Sequence, residues 1–300
     1  MESNQKTTET IFINSGDTPQ NLAQFHAQLD SNNTEKNNPK TIYGLTGLLN
    51  TMNTCYMNSA IQAFSHLYLL RDYFFKCKPD ILNILKKNAR TIFKDVDSFK
   101  LDCIRSSIPI ELRQKIQNPE YTPTSLTPEE ETIILNHTMT YHLITLLENM
   151  WKKNCVVLPT SFKRIFCEAR DKFFYGFEQH DSEEAYSCIL QKMQEELGEK
   201  KNVKFKTTKA SVQDFLHFKN DITNKINSTN NIQIKENLLN SYKQKKREMP
   251  NESLIIEAFR EMQMYYGNSY SRITEIFTGF LYSRTQCPDC GFFSNKFDPF

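Results

Sequence analysis

Glycine is scarce in this chain, which has 8 glycines in 300 residues and neither a Walker nor a Rossmann fingerprint. Both fingerprints need glycine where the backbone approaches a phosphate, so the sequence argues against nucleotide chemistry. No apolar run approaches the roughly 18 residues that span a bilayer, and the start of the chain, MESNQK, lacks the apolar core of a secretory signal. We therefore expect an intracellular protein, of the cytoplasm or nucleus, without a membrane partner.

An excess of charge of one sign is also missing, because 37 Lys and Arg residues are balanced by 35 Asp and Glu residues, for a net charge of +2. A field this weak does not predict a nucleic-acid partner. The 8 cysteines are too sparse over 300 residues for a disulfide framework. Reduced thiols are the better expectation, with one of them reactive and two on a metal. At about 150 residues per domain, the length corresponds to roughly two domains.

Two polar segments divide the chain. Residues 1–40 are rich in Asn, Gln, Thr and Lys, and they hold too little apolar surface to offset the entropy cost of ordering. We predict a disordered tail there. Residues 198–251 are also polar, although Phe215 and Leu238 lie in short apolar stretches that can support short helices. We interpret this second segment as an insertion and not as a domain.

Helix signals are strong between these segments. Thr127 offers an N-cap, Pro128 suits the first helical position, and three glutamates follow at the positive end of the helix dipole. Apolar residues at helical spacing then predict one continuous helix to about Lys152. Its two histidines, His137 and His142, do not share a face, and we interpret them as ordinary, partly buried residues.

After Asn251 the composition changes, and β-branched and aromatic residues become frequent. They predict that a sheet begins in this stretch, on the evidence of Ile273, Ile276, Phe277, Phe280, Leu281 and Tyr282.

The most informative segment is residues 47–62, which read GLLNTMNTCYMNSAIQ. From Met57 onward, apolar residues recur at the spacing of one face of an amphipathic helix. Cys55 therefore lies in the first turn, with Asn53 or Thr54 as the cap. Unpaired backbone N–H groups and the dipole at a helix start stabilise a thiolate, which is the nucleophilic form of cysteine.

Asn50 lies in the loop that enters this helix, five residues before Cys55. Its amide can donate a hydrogen bond to an oxyanion formed on a carbonyl that the thiolate attacks. Such a donor contributes about 3 to 4 kcal/mol to transition-state stabilisation. A cysteine at a helix start is weak evidence by itself, because inert structural thiols occupy the same place, so the argument depends on the whole run.

This run resembles the Cys box of the ubiquitin-specific proteases, which are papain-like cysteine peptidases. The resemblance implies a deubiquitinase that hydrolyses the peptide or isopeptide bond after the C-terminal glycine of ubiquitin. It also implies that Cys55 is the nucleophile, that Asn50 helps to form the oxyanion hole, and that ubiquitin or ubiquitinated proteins are the partners. One position departs from the pattern, because Met52 stands where the family has glycine. A left-handed backbone there would strain methionine by about 1 kcal/mol or more and displace the oxyanion hole.

Residues 174–186 read FYGFEQHDSEEAY and precede apolar residues at helical spacing. Asp181 and Glu184 form an acidic version of a capping box, which by itself says only that a helix begins. Beside the Cys box, the segment resembles the family's Gln-Gln-Asp-Ala box, with His180 at one of its variant positions. That resemblance implies that Asp181, together with Gln179, holds the ubiquitin tail.

Cys287 and Cys290 follow a strand-like stretch and are closed by Gly291, which is typical of a zinc knuckle. A thioredoxin-type redox pair would lead into a helix, which this stretch does not suggest. Structural zinc needs four ligands, and the sequence has no second cysteine pair of this spacing. The segment resembles the first half of the finger zinc site of the ubiquitin-specific proteases. The resemblance therefore implies half of a structural zinc site at Cys287 and Cys290.

A cysteine peptidase also needs an imidazole base and a residue that orients it. The family carries both downstream of the fingers, whereas all 6 histidines of this chain precede Cys287. His66 lies on the same helix as Cys55, about 16 Å of rise away, which is too far for a hydrogen bond. His180 is nearer the cleft in the family architecture, but we do not expect it to act as the base.

The resemblance covers residues 44–72, 159–197 and 272–300 and implies an α+β fold with the papain-like architecture of thumb, fingers and palm. Residues 41–300 would form a partial catalytic domain, with mainly the helical thumb and the start of the fingers. We expect the sequence to be the first part of a longer polypeptide that carries the base. The alternative is a noncatalytic ubiquitin-binding or scaffold protein, a pseudo-peptidase, which Met52 and the missing histidine box favour.

Overall fold

The computed structural model describes residues 10–11, 43–51, 53–93, 108–152, 154–168, 173–176, 178–289, 291 and 293–300. The chain divides into two units. The tail predicted for residues 1–40 lies outside the described residues, apart from the two residues of a short strand, Thr10–Ile11.

Helices dominate both units. They are α1 (Cys55–His66), α2 (Tyr68–Lys76), α3 (Lys78–Lys87), α4 (Ala89–Ile92), α5 (Ile110–Gln117), α6 (Pro128–Asn136), α7 (Met139–Lys152), α8 (Thr160–Glu168), α9 (Ser182–Leu197), α10 (Ala210–Ser228), α11 (Ile232–Glu248), α12 (Pro250–Asn268) and α13 (Arg272–Phe277). The strands are β1 (Thr10–Ile11), β2 (Gly47–Leu48), β3 (Val156–Val157), β4 (Lys204–Phe205), β5 (Phe280–Gln286) and β6 (Phe293–Pro299). This is an α+β fold, as the resemblance implies. None of the helices in the described ranges has the length and apolar character needed to cross a bilayer.

The first unit comprises residues 35–198 and 271–277, and α1 runs through its core. Met57 and Phe64 of α1 are fully buried, which confirms the amphipathic stripe predicted for this helix. The Phe64 ring stacks on that of Tyr186 in α9, with 4.4 Å between ring centroids. The helix that begins at the candidate nucleophile is therefore packed tightly against its neighbours.

The single helix predicted from Thr127 to Lys152 is wrong in one respect, because the structure has two helices there. The first begins as predicted, with the N–H of Glu130 donating to Thr127 Oγ1 at 3.3 Å and the N–H of Thr127 donating to the Glu130 carboxylate at 2.8 Å. It ends at Asn136, and α7 starts again at Met139.

A buried carboxylate on another helix causes the break. Glu196 of α9 is 1% exposed, and it accepts hydrogen bonds from the N–H groups of Met139 and Thr140, each at 2.8 Å. In a continuous helix these N–H groups would donate to carbonyls of the preceding turn instead. Burial raises the pKa of the Glu196 carboxyl, and the hydrogen bonds from Thr140 and Met139 oppose that shift. Glu196 thus acts as the N-terminal cap of α7.

The second unit contains residues 199–270 and 278–300, together with β1. The polar segment 198–251 holds α10, α11 and the first residues of α12, which are 19, 17 and 19 residues long and exceed the short helices that the sequence predicts. A small core joins α10 to α12 through Phe215 and Ile256. Strands β5 and β6 form an antiparallel hairpin, and β1 pairs in parallel with β4.

The stretch predicted to begin a sheet at residue 273 begins instead as helix α13, and β5 starts only at Phe280. The N–H of Thr274 donates to Ser271 Oγ at 3.0 Å, and the N–H of Ser271 donates to Thr274 Oγ1 at 3.0 Å. This reciprocal cap favours a helix in spite of the β-branched composition. Ile273 is fully buried in the core of the first unit, and this burial also stabilises helix α13.

Candidate active site

Cys55 is the first residue of α1, and Thr54 is the N-cap. The predicted position of this cysteine in the first helical turn is therefore confirmed, with Thr54 and not Asn53 as the cap. The Cys55 side chain is exposed, whereas the next two side chains, Tyr56 and Met57, are buried. The first N–H groups of a helix have no partner within it, so this thiol lies where an anion is stabilised.

Asn50 is held against the helix start through Thr54. The N–H and the hydroxyl of Thr54 both donate to Asn50 Oδ1, at 2.9 and 3.1 Å. The N–H of Thr51 completes the network by donating to Thr54 Oγ1 at 3.1 Å. Because a backbone N–H can only donate, the Asn50 atom that faces Thr54 must be the oxygen. Nδ2 has no hydrogen-bond partner among the described residues, so it is available as a donor to an oxyanion.

Two strands and two helices position the loop that carries this network. Strand β2 pairs in parallel with β3, and the N–H of Leu49 donates to the Val157 carbonyl at 2.9 Å. Lys163 of α8 donates to the carbonyl of Thr51 at 3.2 Å. Asn58, which is buried in α1, donates to the Leu49 carbonyl at 3.3 Å. The candidate oxyanion donor is therefore held at a set position relative to the nucleophile.

The loop turns at Asn53, whose backbone φ is +59°. Asparagine adopts this left-handed conformation more readily than most residues that carry a side chain. Met52, the position that departs from the family's glycine, lies outside the described residues. The one left-handed residue in the described part of the loop is thus of a type that tolerates it.

Tyr56 connects α1 to the segment that precedes α9. Its ring centroid lies 5.1 Å from that of His180 and 5.8 Å from that of Phe174. Burial, with a smaller contribution from the nearby thiols of Cys167 and Cys55, raises the pKa of the Tyr56 phenol to about 12. Tyr56 is therefore neutral at physiological pH, and its ring brings together the two segments singled out in the sequence.

Asp181 is the N-cap of α9, as the sequence predicts. Its Oδ1 accepts a hydrogen bond from the N–H of Glu183 at 2.8 Å. The predicted capping partner was Glu184, whereas this bond comes from the neighbouring residue. Asp181 and Gln179 are both exposed, and they flank His180, which packs on Tyr56. The second carboxylate oxygen and the Gln179 amide thus lie on the exposed side of this segment.

No described histidine makes a hydrogen bond to the Cys55 thiol. His66 is in the last turn of α1, where its Nδ1 bonds to the Gln62 carbonyl at 2.9 Å. His142 is buried, its Nε2 bonds to the Asn136 carbonyl at 2.9 Å, and burial lowers its pKa. His66 is thus unsuited to the role of base, as expected, and His142 is an ordinary packed residue.

The sequence pattern does not reveal the roles of two residues of the site, Thr54 and Tyr56. Thr54 is offered there only as a possible cap, yet its side chain orients Asn50. Tyr56 is passed over, although its ring joins the two matched segments. A hydroxyl residue four positions after the asparagine is the signal that would have identified the first of them.

Cys287 follows β5 and begins a tight turn into β6. The N–H of Gly291 donates to the Cys287 carbonyl at 3.0 Å, and Gly291 has a φ of +66°, which glycine adopts without strain. Cys290, the other cysteine of the predicted knuckle, lies outside the described residues. Within the part of the chain that the structure describes, no three His, Cys, Asp or Glu side chains converge as a metal site.

Known proteins are similar to this chain in sequence. Residues 46–298 match the family model described as ubiquitin carboxyl-terminal hydrolase. A probable ubiquitin carboxyl-terminal hydrolase of Acanthamoeba polyphaga mimivirus is 52% identical over 271 residues, which cover 90% of this chain and 58% of the relative. Ubiquitin carboxyl-terminal hydrolase 2 of Bos taurus is 24% identical over 265 residues, which cover 88% of this chain and 30% of the relative. The chain thus spans little more than half of the first relative and less than a third of the second.

Proposed function

Because the chain belongs to the ubiquitin carboxyl-terminal hydrolase family, we propose that it is a deubiquitinase, a cysteine peptidase that cleaves after the C-terminal glycine of ubiquitin. The observation that carries the proposal is the exposed thiol of Cys55 at the start of α1, beside the oriented amide of Asn50. Cysteine peptidase chemistry needs this pair, a nucleophile and a donor for the oxyanion.

We propose the following reaction for these residues. The Cys55 thiolate attacks the carbonyl carbon of the terminal glycine, a C–S bond forms, and the carbonyl oxygen becomes an oxyanion. Asn50 Nδ2 donates a hydrogen bond to that oxygen. The C–N bond then breaks, the amine leaves with a proton, and water hydrolyses the thioester to free ubiquitin with a terminal carboxylate. The proton transfers need a general base, which none of the described histidines is placed to be.

Asp181 and Gln179 are proposed to hold the extended tail of ubiquitin. Asp181 Oδ1 is occupied by the cap of α9, which fixes the carboxylate and leaves Oδ2 to accept an N–H of the tail. His180 anchors both residues to the helix of the nucleophile through Tyr56. Membership in the ubiquitin carboxyl-terminal hydrolase family supports ubiquitin and ubiquitinated proteins as the partners in this proposal.

A noncatalytic ubiquitin-binding protein is the second candidate, and one observation favours it. No described imidazole bonds to the Cys55 thiol, so the residues described here lack an assembled nucleophile and base. Such a protein would bind ubiquitin with Asp181 and Gln179 but would not attack its C-terminus.

Ubiquitin bearing a C-terminal propargylamide separates the two candidates. We expect the full chain to gain the mass of one ubiquitin and Cys55→Ala to gain none, because the alkyne reacts only with a thiol held at the tail. Cys77→Ala removes a half-buried thiol outside the site and should label like the wild type. Saturable binding without an adduct would support the scaffold, and labelling of Cys55→Ala would show that the nucleophile is misassigned.

Replacing His180 with phenylalanine tests whether its imidazole acts as the base. The imidazole packs among the rings of Tyr56, Phe173 and Phe174, and phenylalanine keeps that packing without ring nitrogens. We expect kcat for a ubiquitin C-terminal fluorogenic amide to change by less than about tenfold, or about 1.4 kcal/mol. A loss of about 10²- to 10⁴-fold would identify His180 as the general base after all.

We also propose that Cys287 and Cys290 supply half of a structural zinc site. The support is the spacing of the two cysteines in the sequence and the tight turn that Gly291 closes onto the Cys287 carbonyl. Zinc would cross-link the β5–β6 turn when bound. Thiol chemistry and zinc thiolates both favour a reducing compartment, so we place the protein in the cytoplasm or nucleus.

Cys287→Ser is expected to lower the zinc content of the purified full chain. The serine hydroxyl is a far poorer zinc ligand than a thiolate, so elemental analysis should show a loss of about half or more of the bound metal. Cys77→Ser serves as the matched control and should retain it. A wild-type chain without zinc, or equal zinc in both variants, contradicts the proposed site.

A further inference from the structure

Lys163 of α8 is a cation directed at the loop that carries the candidate oxyanion donor. Its Nζ donates to the carbonyl of Thr51 at 3.2 Å, and Thr51 directly follows Asn50. The lysine is half-buried, and among the described residues its ammonium makes no other hydrogen bond and no ion pair with a carboxylate. A partly desolvated ammonium without a counter-ion is costly unless it makes a strong hydrogen bond. The Thr51 carbonyl supplies that bond.

The topology of the first unit places α8 beside this loop. Strands β2 and β3 run parallel, with Leu48 paired to Val157, so the chain leaves both strands at the same edge. After β2 the chain enters the loop that holds Asn50, and after β3 only two residues precede α8. Lys163 lies in the first turn of α8, where its N–H donates to the Pro159 carbonyl at 2.8 Å. The pairing of the two strands therefore brings the lysine to the loop.

The apolar face of α8 packs against the helix of the nucleophile. Phe162 and Phe166, on either side of Lys163 in the sequence, are 1% and 0% exposed. The ring centroid of Phe166 lies 6.3 Å from that of Tyr56, the residue after Cys55 in α1. The lysine thus extends from a helix whose position relative to α1 is set by packing.

Thr51 is held at both of its backbone polar groups. Its carbonyl accepts from Lys163, and its N–H donates to Thr54 Oγ1 at 3.1 Å. The same hydroxyl of Thr54 donates to Asn50 Oδ1 at 3.1 Å. These hydrogen bonds connect the ammonium to the side-chain amide of Asn50. Loss of the first bond frees the Thr51 carbonyl, and with it the backbone that orients Asn50 Nδ2.

We propose that Lys163 is a positioning residue, which holds Asn50 Nδ2 where the oxyanion forms; this inference rests on the proposed function. Lys163 acts through Thr51 and Asn50 and does not touch the reacting atoms. A displacement of about 1 Å can lower a rate by about 10²-fold. Complete loss of an oxyanion donor lowers kcat by about 10²- to 10³-fold. We therefore expect loss of the ammonium to lower kcat by about ten- to a hundredfold, which is less than loss of the amide itself.

Lys163→Met tests the proposal, because methionine keeps the apolar part of the side chain and removes the ammonium. Ubiquitin aldehyde adds the Cys55 thiol across its C=O bond, and the oxygen of this adduct needs the Asn50 donor. Calorimetric titration of the full chain should show that Lys163→Met binds the aldehyde at least about tenfold more weakly than the wild type. The adduct with ubiquitin propargylamide has no such oxygen, so the rate of labelling should be nearly unchanged.

Two further variants serve as controls. Lys163→Arg keeps a cation with N–H donors and should restore most of the aldehyde affinity. Arg164→Met removes a neighbouring cation that is exposed and that donates to the Asn136 carbonyl at 3.4 Å instead of to the loop. It should bind the aldehyde like the wild type. Circular dichroism checks that Lys163→Met folds, and Lys163→Gln, which is polar and uncharged, replaces it if it does not.

A double-mutant cycle with Asn50→Ala tests whether Lys163 acts through Asn50. If the lysine only places the amide, Lys163→Met should cause no further loss of aldehyde affinity once that amide is gone. Losses that multiply would show that Lys163 acts independently of Asn50, which would overturn the positioning role.

Two other results would overturn the proposal while leaving the proposed function in place. They are an unchanged aldehyde affinity in Lys163→Met, and equal losses with the aldehyde and the propargylamide, which would leave the lysine a structural role. A wild-type chain that reacts with neither probe would overturn the proposed function, and this inference with it. The behaviour of the wild type therefore distinguishes the two failures.

Discussion

Asn50→Asp is expected to lower kcat for a ubiquitin C-terminal amide by about 10²- to 10³-fold while leaving the fold intact. Aspartate keeps the oxygen that accepts from the N–H and hydroxyl of Thr54, so the network at the start of α1 survives. It lacks Nδ2, the donor that faces the oxyanion, and it adds a negative charge beside it. The loss should therefore appear in kcat rather than in stability.

Two ubiquitin probes sharpen this test. Ubiquitin aldehyde forms a tetrahedral adduct whose oxygen needs the donor, so its affinity should fall in Asn50→Asp. The propargylamide probe forms no oxyanion, so its labelling of Cys55 should be nearly unchanged. Equal losses with both probes would mean that Asn50 supports the loop and does not stabilise an oxyanion.

Glu196→Ala is expected to lower the free energy of unfolding of the first unit by about 3 to 5 kcal/mol. The change leaves the N–H groups of Met139 and Thr140 buried without acceptors and opens a cavity beneath α7. Urea unfolding followed by tryptophan fluorescence measures the free energy of unfolding of the first unit, because Trp151 of α7 is the only tryptophan in the sequence.

The neighbouring residue provides the control. Glu195 is exposed and pairs with Lys192 at 3.2 Å, so Glu195→Ala should cost less than about 1 kcal/mol. Similar losses in Glu195→Ala and Glu196→Ala would show that the cap contributes little and that α7 is held by packing alone.

Glu196→Gln removes the titrating group, and its single amide oxygen can replace only one of the two acceptors, a loss that does not vary with pH. Burial raises the pKa of the Glu196 carboxyl above its ordinary 4.5, so the folded state binds the proton more tightly than the unfolded state. The stability of the wild type relative to Glu196→Gln should therefore fall as the pH rises above about that ordinary value. An advantage of the wild type that grows with pH would mean that the two N–H donors outweigh the burial.

The candidate site was largely predictable because its signals are local. The start of α1 at Cys55 follows from a stripe of apolar residues within three turns, and the cap at Asp181 from the residues next to it. The role of Thr54 in orienting Asn50 is equally local, four residues apart. The pattern does not distinguish an N-cap residue whose side chain bonds back to the loop from one whose side chain bonds to the helix. Among the described residues, no histidine makes a hydrogen bond to the Cys55 thiol.

The sequence by itself determined the helix that carries the nucleophile and the loop with its amide donor, because both depend on hydrogen bonds and periodicity within a few residues. Only the tertiary structure decided that residues 127–152 form two helices, since Glu196 reaches Met139 across 57 positions of the chain. It alone placed Lys246 of α11 beside Glu257 of α12, with 2.7 Å between Nζ and Oε1. A buried polar group bonds to whichever partner the fold brings close to it. When that partner is far away along the chain, the local sequence pattern does not reveal it.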